Sequence, residues 1–166
     1  MAEVLLIERT DLVKFTVVDA NVDTDRFIQF VKIAQDIHIQ GYLGTDLLNK
    51  LKTDIESGTL ADPYLSLLTT YIKPMLIHWS LVEYLPYAAY TVANKGVFKH
   101  TSENSTDVSK AEIDFLVEKQ RITAENYSQR FVDYMSFNQA SFPEYNSNSG
   151  PDIYPKQNSN IGGWYI

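Results

Sequence analysis

The chain of 166 residues contains no cysteine. That excludes disulfides, thiolate metal sites and cysteine nucleophiles, and it fits a protein made in a reducing compartment. Histidine is scarce, with three copies at His38, His78 and His100. His78 and Glu83, five residues apart, fall about 140° apart on a helix and cannot share a metal as an HExxH pair does. His38 lies on an apolar face, where a hydrogen-bonded core histidine is the ordinary role. His100 sits beside Lys99, which disfavours cation binding. Basic residues are also few: 14 Lys and Arg stand against 21 Asp and Glu, for a net charge of −7. A phosphate-binding surface needs clustered cations. The densest basic stretch, Lys119, Arg121 and Arg130, is interrupted by Glu118 and Glu125.

Long apolar runs are missing too. The N-terminal MAEVLLIERTDL has no basic n-region and so does not read as a signal peptide. The most membrane-like window, 75–93, carries His78, Glu83 and Pro86. A carboxylate at a bilayer centre costs about 2.5–3.5 kcal/mol, so this window reads as a buried core helix. No nucleophile elbow, calcium loop or Walker loop occurs. Glu83, set in an apolar helix, is the one acid considered for a hydrolytic role, and a hydrogen-bonding partner is its plainer explanation. The expectation is a protein that is not an enzyme and has no metal or cofactor.

Aromatics, by contrast, are abundant, with 11 Tyr and 8 Phe. Apolar spacing marks a first helix over about 24–40, capped by Asp23 or Thr24. Asp25, Gln29, Lys32, Asp36 and Gln40 form its polar stripe. Phe27, Phe30, Val31, Ala34, Ile37 and His38 face the other way, and Ile28, Ile33 and Ile39 flank the stripe. A second helix spans about 45–57, from a Thr45 N-cap to Gly58. Asp62-Pro63 starts a third helical region, 63 to about 94, in which Pro74 and Pro86 predict kinks. Leu65, Leu68, Ile72, Met75, Trp79, Val82 and Leu85 keep helical spacing across Pro74. Residues 97–108 read as a loop or small hairpin. Ser109 and Glu112 form a capping box for a last helix, about 110–138. Its seam is Ile113, Val117, Gln120, Ala124, Tyr127, Phe131 and Tyr134, where Gln120 can set register.

The fold class is therefore mainly α: a bundle of about four helices with an extended N-terminal segment and a non-helical C-terminal arm. Residues 1–140 form the helical domain. Residues 141–166, rich in Asn, Ser, Gly and Pro, form an arm carrying Phe142, Tyr145, Tyr154, Trp164 and Tyr165. That arm either docks on a partner or packs on its own domain.

Gly41-Tyr42-Leu43-Gly44 superficially matches a phosphate or nucleic-acid clamp. Its spacing is too short for a Walker loop, the lysine is missing, and a helix precedes it. The mechanical reading fits better: Gly41 ends the first helix, Tyr42 and Leu43 pack down, Gly44 turns the chain, and Thr45 caps the second helix.

The pattern Ile33, Ala34-Gln35-Asp36, His38-Ile39, Leu43-Gly44-Thr45 and Leu47, with the Asp62-Pro63 start and the later helices, resembles a helical family of phages and prophages of Bacteroidetes. It is similar to head–tail connector (adaptor or neck ring) proteins of crAss-like Bacteroides phages across most of residues 8–138. The resemblance implies a structural virion protein that forms a homo-oligomeric, dodecameric ring. Such a ring binds the portal protein and other neck or tail proteins, and genomic DNA passes through its centre without sequence-specific binding. It implies no catalytic residue, and it does not extend to the arm. A small helical nucleic-acid-binding regulator is the alternative.

Overall fold

The computed structural model describes residues 3–16, 24–88, 90–93, 96–99, 109–150 and 152–156. After an extended entry, α1 spans Arg9–Phe15. Helix α2 begins as Thr24–Ala34, widens into a π turn at Gln35–Ile39 and closes with Gln40–Leu43. Helix α3 follows at once, Thr45–Ser57, and ends on Gly58 in the left-handed conformation at φ 68°. Helix α4 runs Tyr64–Leu67, a second π turn Leu68–Ile72, then Lys73–Tyr84 and a 3-10 turn Leu85–Tyr87. The strands Tyr90–Ala93 (β1) and Gly96–Lys99 (β2) pair antiparallel, with Tyr90 opposite Lys99. The long α5, Lys110–Asn138, leads into 3-10 turns at Gln139–Ser141 and Pro143–Asn146.

The class is mainly α, as the spacing implies. Helix α4 is the centre: it packs against α2 on one side and α5 on the other, and α1 also touches it. Leu67, Ile72, Met75 and Leu76 are fully buried there, and Ile77, Trp79, Leu81 and Val82 nearly so. A helix apolar on most of its circumference is stable only inside. Pro74 sits just after the π turn of α4, where the wider backbone accommodates a residue that cannot donate an amide. Pro86 lies in the closing 3-10 turn, so the helix ends there, short of residue 94.

Two boundaries and one helix face differ from the sequence reading. The segment 90–93 is a strand rather than the end of the third helix. Helix α4 starts at Tyr64 with Pro63 as its cap, and the Asp62 carboxylate accepts from the Ser66 amide (3.1 Å) and hydroxyl. The π turn in α2 inserts one residue, which rotates everything after it by about 100° relative to an unbroken α-helix. Ile39, expected beside the polar stripe, is therefore fully buried, and Ile37, expected in the core, is 63% exposed. The N-cap residue Asp23 and the side chains of Thr24 and Asp25 lie outside the described residues.

The C-terminal segment is not a free arm through residue 156. Phe142 and Tyr145 are core residues, 0% and 1% exposed. Phe142 meets Tyr64 edge-on at 5.3 Å, and Tyr145 meets Phe131 at 6.1 Å. Up to residue 156, the second of the two readings of the arm holds.

Candidate functional site

The conformation of the 41–45 corner depends on Gly44. Its backbone stands at φ 76°, ψ 161°, a region essentially confined to glycine. Helix α2 ends at Leu43, and Gly44, not Thr45, is the N-cap of α3. Gly41 lies within the last turn of α2 rather than ending it. Leu43 is fully buried, and Leu47 and Leu51 continue the same face into the core.

A strap from the C-terminal segment crosses this corner. The Thr45 amide donates to the Ile153 carbonyl at 3.0 Å, and the Ile153 amide donates to the Thr45 hydroxyl at 3.2 Å. The Lys156 amide donates to the Gly41 carbonyl at 2.9 Å. Pro155 covers Gly44, and the Lys156 ammonium stands 5.7 Å above the Tyr42 ring. Asp46 anchors the start of the strap, accepting from the Ser147 hydroxyl (2.7 Å), the Ser149 amide (2.8 Å) and the Ser149 hydroxyl (3.0 Å). The Ser147 bond, the largest influence, and the Ser149 bonds hold the Asp46 carboxyl below its usual pKa. Gln40 links both sides by donating to the Thr45 hydroxyl at 2.9 Å and to Asp152 at 3.5 Å. The corner therefore binds a peptide, and that peptide is part of its own chain. Of the aromatic residues assigned to the arm, Tyr154 is 49% exposed on this strap, and Trp164 and Tyr165 lie outside the described residues.

The segment before α1 is held by the buried Gln35 of α2. Its side-chain amide donates to the Val4 carbonyl at 3.0 Å and accepts from the Leu6 amide at 2.9 Å, replacing the backbone partners an extended strand would need. Gln35 was not assigned this role from sequence; a polar residue at the edge of the apolar arc was its only signal.

The acid considered for chemistry has a partner. Glu83 pairs with His38 at 2.8 Å, and His38 stacks on Trp79 at 3.9 Å. Trp79 in turn donates to Ser128 at 3.0 Å. His78 bonds Gln120, the seam glutamine of α5, at 3.0 Å. No group of three or more His, Asp or Glu among the described residues could hold a metal ion.

A cavity of about 480 Å³ opens between α1, α4 and α5, lined by Asp11, Phe15, Lys73, His78, Tyr127 and Arg130 among others. Its cations are engaged: Lys73 pairs with Asp11 at 2.8 Å, and Arg130 lies 6.0 Å and 5.6 Å from the Tyr71 and Tyr127 rings. Arg121 contacts Glu118 at 3.5 Å. Arg121 and Arg130 of α5 thus meet separate partners.

The first turns of α5 behave differently from the rest. All five of its buried residues lie between Ala124 and Met135. Upstream, Phe115 is 69% exposed, and Leu116 and Ile122 are each 47% exposed. Phe115 and Ile122 are seven residues apart, so they share a face. This face is opposite the Ile113–Val117–Gln120 seam, and sequence analysis centred on that seam missed it. No helix among the described residues is long and apolar enough to cross a membrane.

Comparisons with curated proteins and with solved structures returned no match. One family model matches residues 39–154, from the end of the π turn through the corner to the strap. By that match, which takes in more than half of the sequence, the chain belongs to DUF6712, a family of unknown function.

Proposed function

We propose that this chain is a structural connector subunit of a phage neck. It assembles into a homo-oligomeric ring that joins the portal protein to tail components and lets genomic DNA pass through its centre. It works by assembly, not by catalysis. The observation that carries this reading is the exposed face of α5, where Phe115, Leu116 and Ile122 stand in water on a helix that its own bundle leaves uncovered. A rigid apolar face of this kind favours a protein partner. The sequence resemblance to neck ring proteins names the assembly in which such a partner would be found.

The acidic balance suits the central channel. Each copy contributes a net charge of −7. Acidic side chains lining a lumen repel DNA phosphates over the screening length of about 8 Å, which favours sliding over sticking. Mass photometry of the purified protein, alone and mixed with portal rings, tests the reading. The expected result is a ring-sized species or a shift in portal mass. A strict monomer that leaves portal rings unshifted overturns it.

A further inference from the structure

The cavity between α1, α4 and α5, about 480 Å³, is lined by the rings of Phe15, His78 and Tyr127 and by Ile77. His78 and Tyr127 lie parallel within 5° at 5.2 Å, and the His78 Nδ1 is held by Gln120 at 3.0 Å. A space of this size, apolar over most of its wall with a few placed polar groups, has the make-up of a small-ligand site.

The charges in that wall are unequal. Lys73 and Asp11 offset each other at 2.8 Å. Arg130 is left over. Its guanidinium meets the Tyr71 and Tyr127 rings at 6.0 Å and 5.6 Å, and no carboxylate among the described residues pairs with it. Asp133, three residues on, accepts from Gln129 at 2.6 Å. Contact with ring systems leaves an arginine its five N–H donors, and a carboxylate is the acceptor that matches two of them at once. Leaving His78 aside, the lining carries one net positive charge in a chain of net −7. Its sign is opposite to that of the whole chain, which favours an anion there.

We propose that this cavity binds a monocarboxylate with a flat apolar body, the acid on Arg130 and the body among Phe15, Ile77 and the His78–Tyr127 pair. Arg130 adjoins that pair through Tyr127, so one small molecule reaches both. Asp11 in the same wall opposes a second negative charge. Two sources share this chemistry: a free aryl carboxylic acid, and the C-terminal carboxylate of a peptide that ends in an aromatic residue. The inference does not rest on the neck-ring reading.

The full-length protein is titrated with phenylacetate and with phenylacetamide, its neutral isostere, and the His78 imidazole protons are followed by NMR. The acid should shift them saturably, and the amide should bind about tenfold more weakly, because it lacks the charge that strengthens the hydrogen bonds to Arg130. Arg130 is exposed, so Arg130→Gln should keep the fold and lower the affinity for the acid to that for the amide. Thr69→Trp fills the rim from another exposed position, leaves every charge in place, and should abolish binding of both. No saturable shift, equal affinity for acid and amide, or acid binding undiminished in Arg130→Gln overturns the proposal. N-acetylphenylalanine separates the sources. If it binds more tightly than phenylacetate and loses that affinity in Arg130→Gln, the site is supported and takes chain ends. If phenylacetate binds more tightly with the same dependence, the site is supported and takes a free acid.

Discussion

A Cβ placed on Gly44 would stand 2.6 Å from Cδ of Pro155, closer than real side chains approach one another. The same residue holds φ at 76°. Gly44→Ala therefore meets two penalties: a backbone region worth about 1–3 kcal/mol of strain, and a steric push against the strap. The melting temperature should fall by roughly 5–10 °C for a loss of about 2–3 kcal/mol. Limited proteolysis should cut first within 147–156. Gly58→Ala is the comparison, because a Cβ there meets nothing within 4 Å although φ is also positive. It should cost about 1–2 kcal/mol and leave the strap protected. Equal protease sensitivity in both variants would show that Pro155 does not depend on Gly44.

Gln35 makes the second prediction. Truncation to alanine leaves the Leu6 amide and the Val4 carbonyl without their partners, beside the buried Leu6, Ile7 and Leu12. Losing such bonds inside costs about 1–3 kcal/mol for each group stranded. Gln35→Glu should be worse than its shape suggests, because a carboxylate cannot donate to the Val4 carbonyl. Amide exchange at Leu6 is the measurement. It should be slow in the parent and fast in both variants, with the amides of α5 little changed. Protection of Leu6 in Gln35→Ala would mean that packing alone holds the segment.

How far these features could be read in advance differs by residue. The C-terminal end of α3 followed from Gly58, and the start of α5 from Ser109 and Glu112, because caps and boxes are local chemistry. The face of α2 beyond Ala34 did not follow. Helical projection assumes one uniform turn, and the π turn at Gln35–Ile39 adds a residue that no single side chain announces. That is why Ile37 and Ile39 exchanged places. The strap was least legible. Asn148, Ser149 and Gly150 carry no periodicity, and Ser149 finds Asp46 across 103 residues of sequence. The corner was recognised as a turn, but its role as the seat of that strap depends on contacts that spacing does not encode.

Alkaline pH should loosen the C-terminal segment. Burial, with a smaller contribution from the charge of Tyr154, pushes the Tyr145 hydroxyl from its ordinary value of 10.0 up to about 12. The Tyr64 hydroxyl is raised as well, by burial first and by its bond to Glu144 second. A folded pKa above the unfolded one means the neutral form is favoured in the fold. The stabilisation is fully present below pH 10 and is lost as the pH rises toward 12. Denaturation midpoints should therefore decline over that window. Tyr145→Phe, which cannot ionise, should flatten the decline, and absorbance at 295 nm should lose one late-titrating tyrosine. A decline that Tyr145→Phe leaves unchanged would assign the alkaline loss to other groups.

The exposed face of α5 gives a prediction in which stability and assembly must separate. Phe131 is fully buried, and Phe131→Ala should cost about 3–5 kcal/mol by removing an aromatic from a packed core. Phe115 and Ile122 are on the same helix but in water, so the double change Phe115→Ser, Ile122→Ser should move monomer stability by no more than about 0.5 kcal/mol. If that face is the contact between copies, the same double variant should weaken self-association at least tenfold, about 1.4 kcal/mol, in sedimentation or mass photometry. Phe137, the most exposed large hydrophobic side chain among the described residues at 89%, lies fifteen residues beyond Ile122 and is rotated from it by about 60° on an ideal helix. Phe137→Ser therefore serves as an internal comparison: equal loss of assembly in both variants would indicate non-specific stickiness, whereas loss confined to the Phe115 and Ile122 change would locate the contact on the first turns of α5.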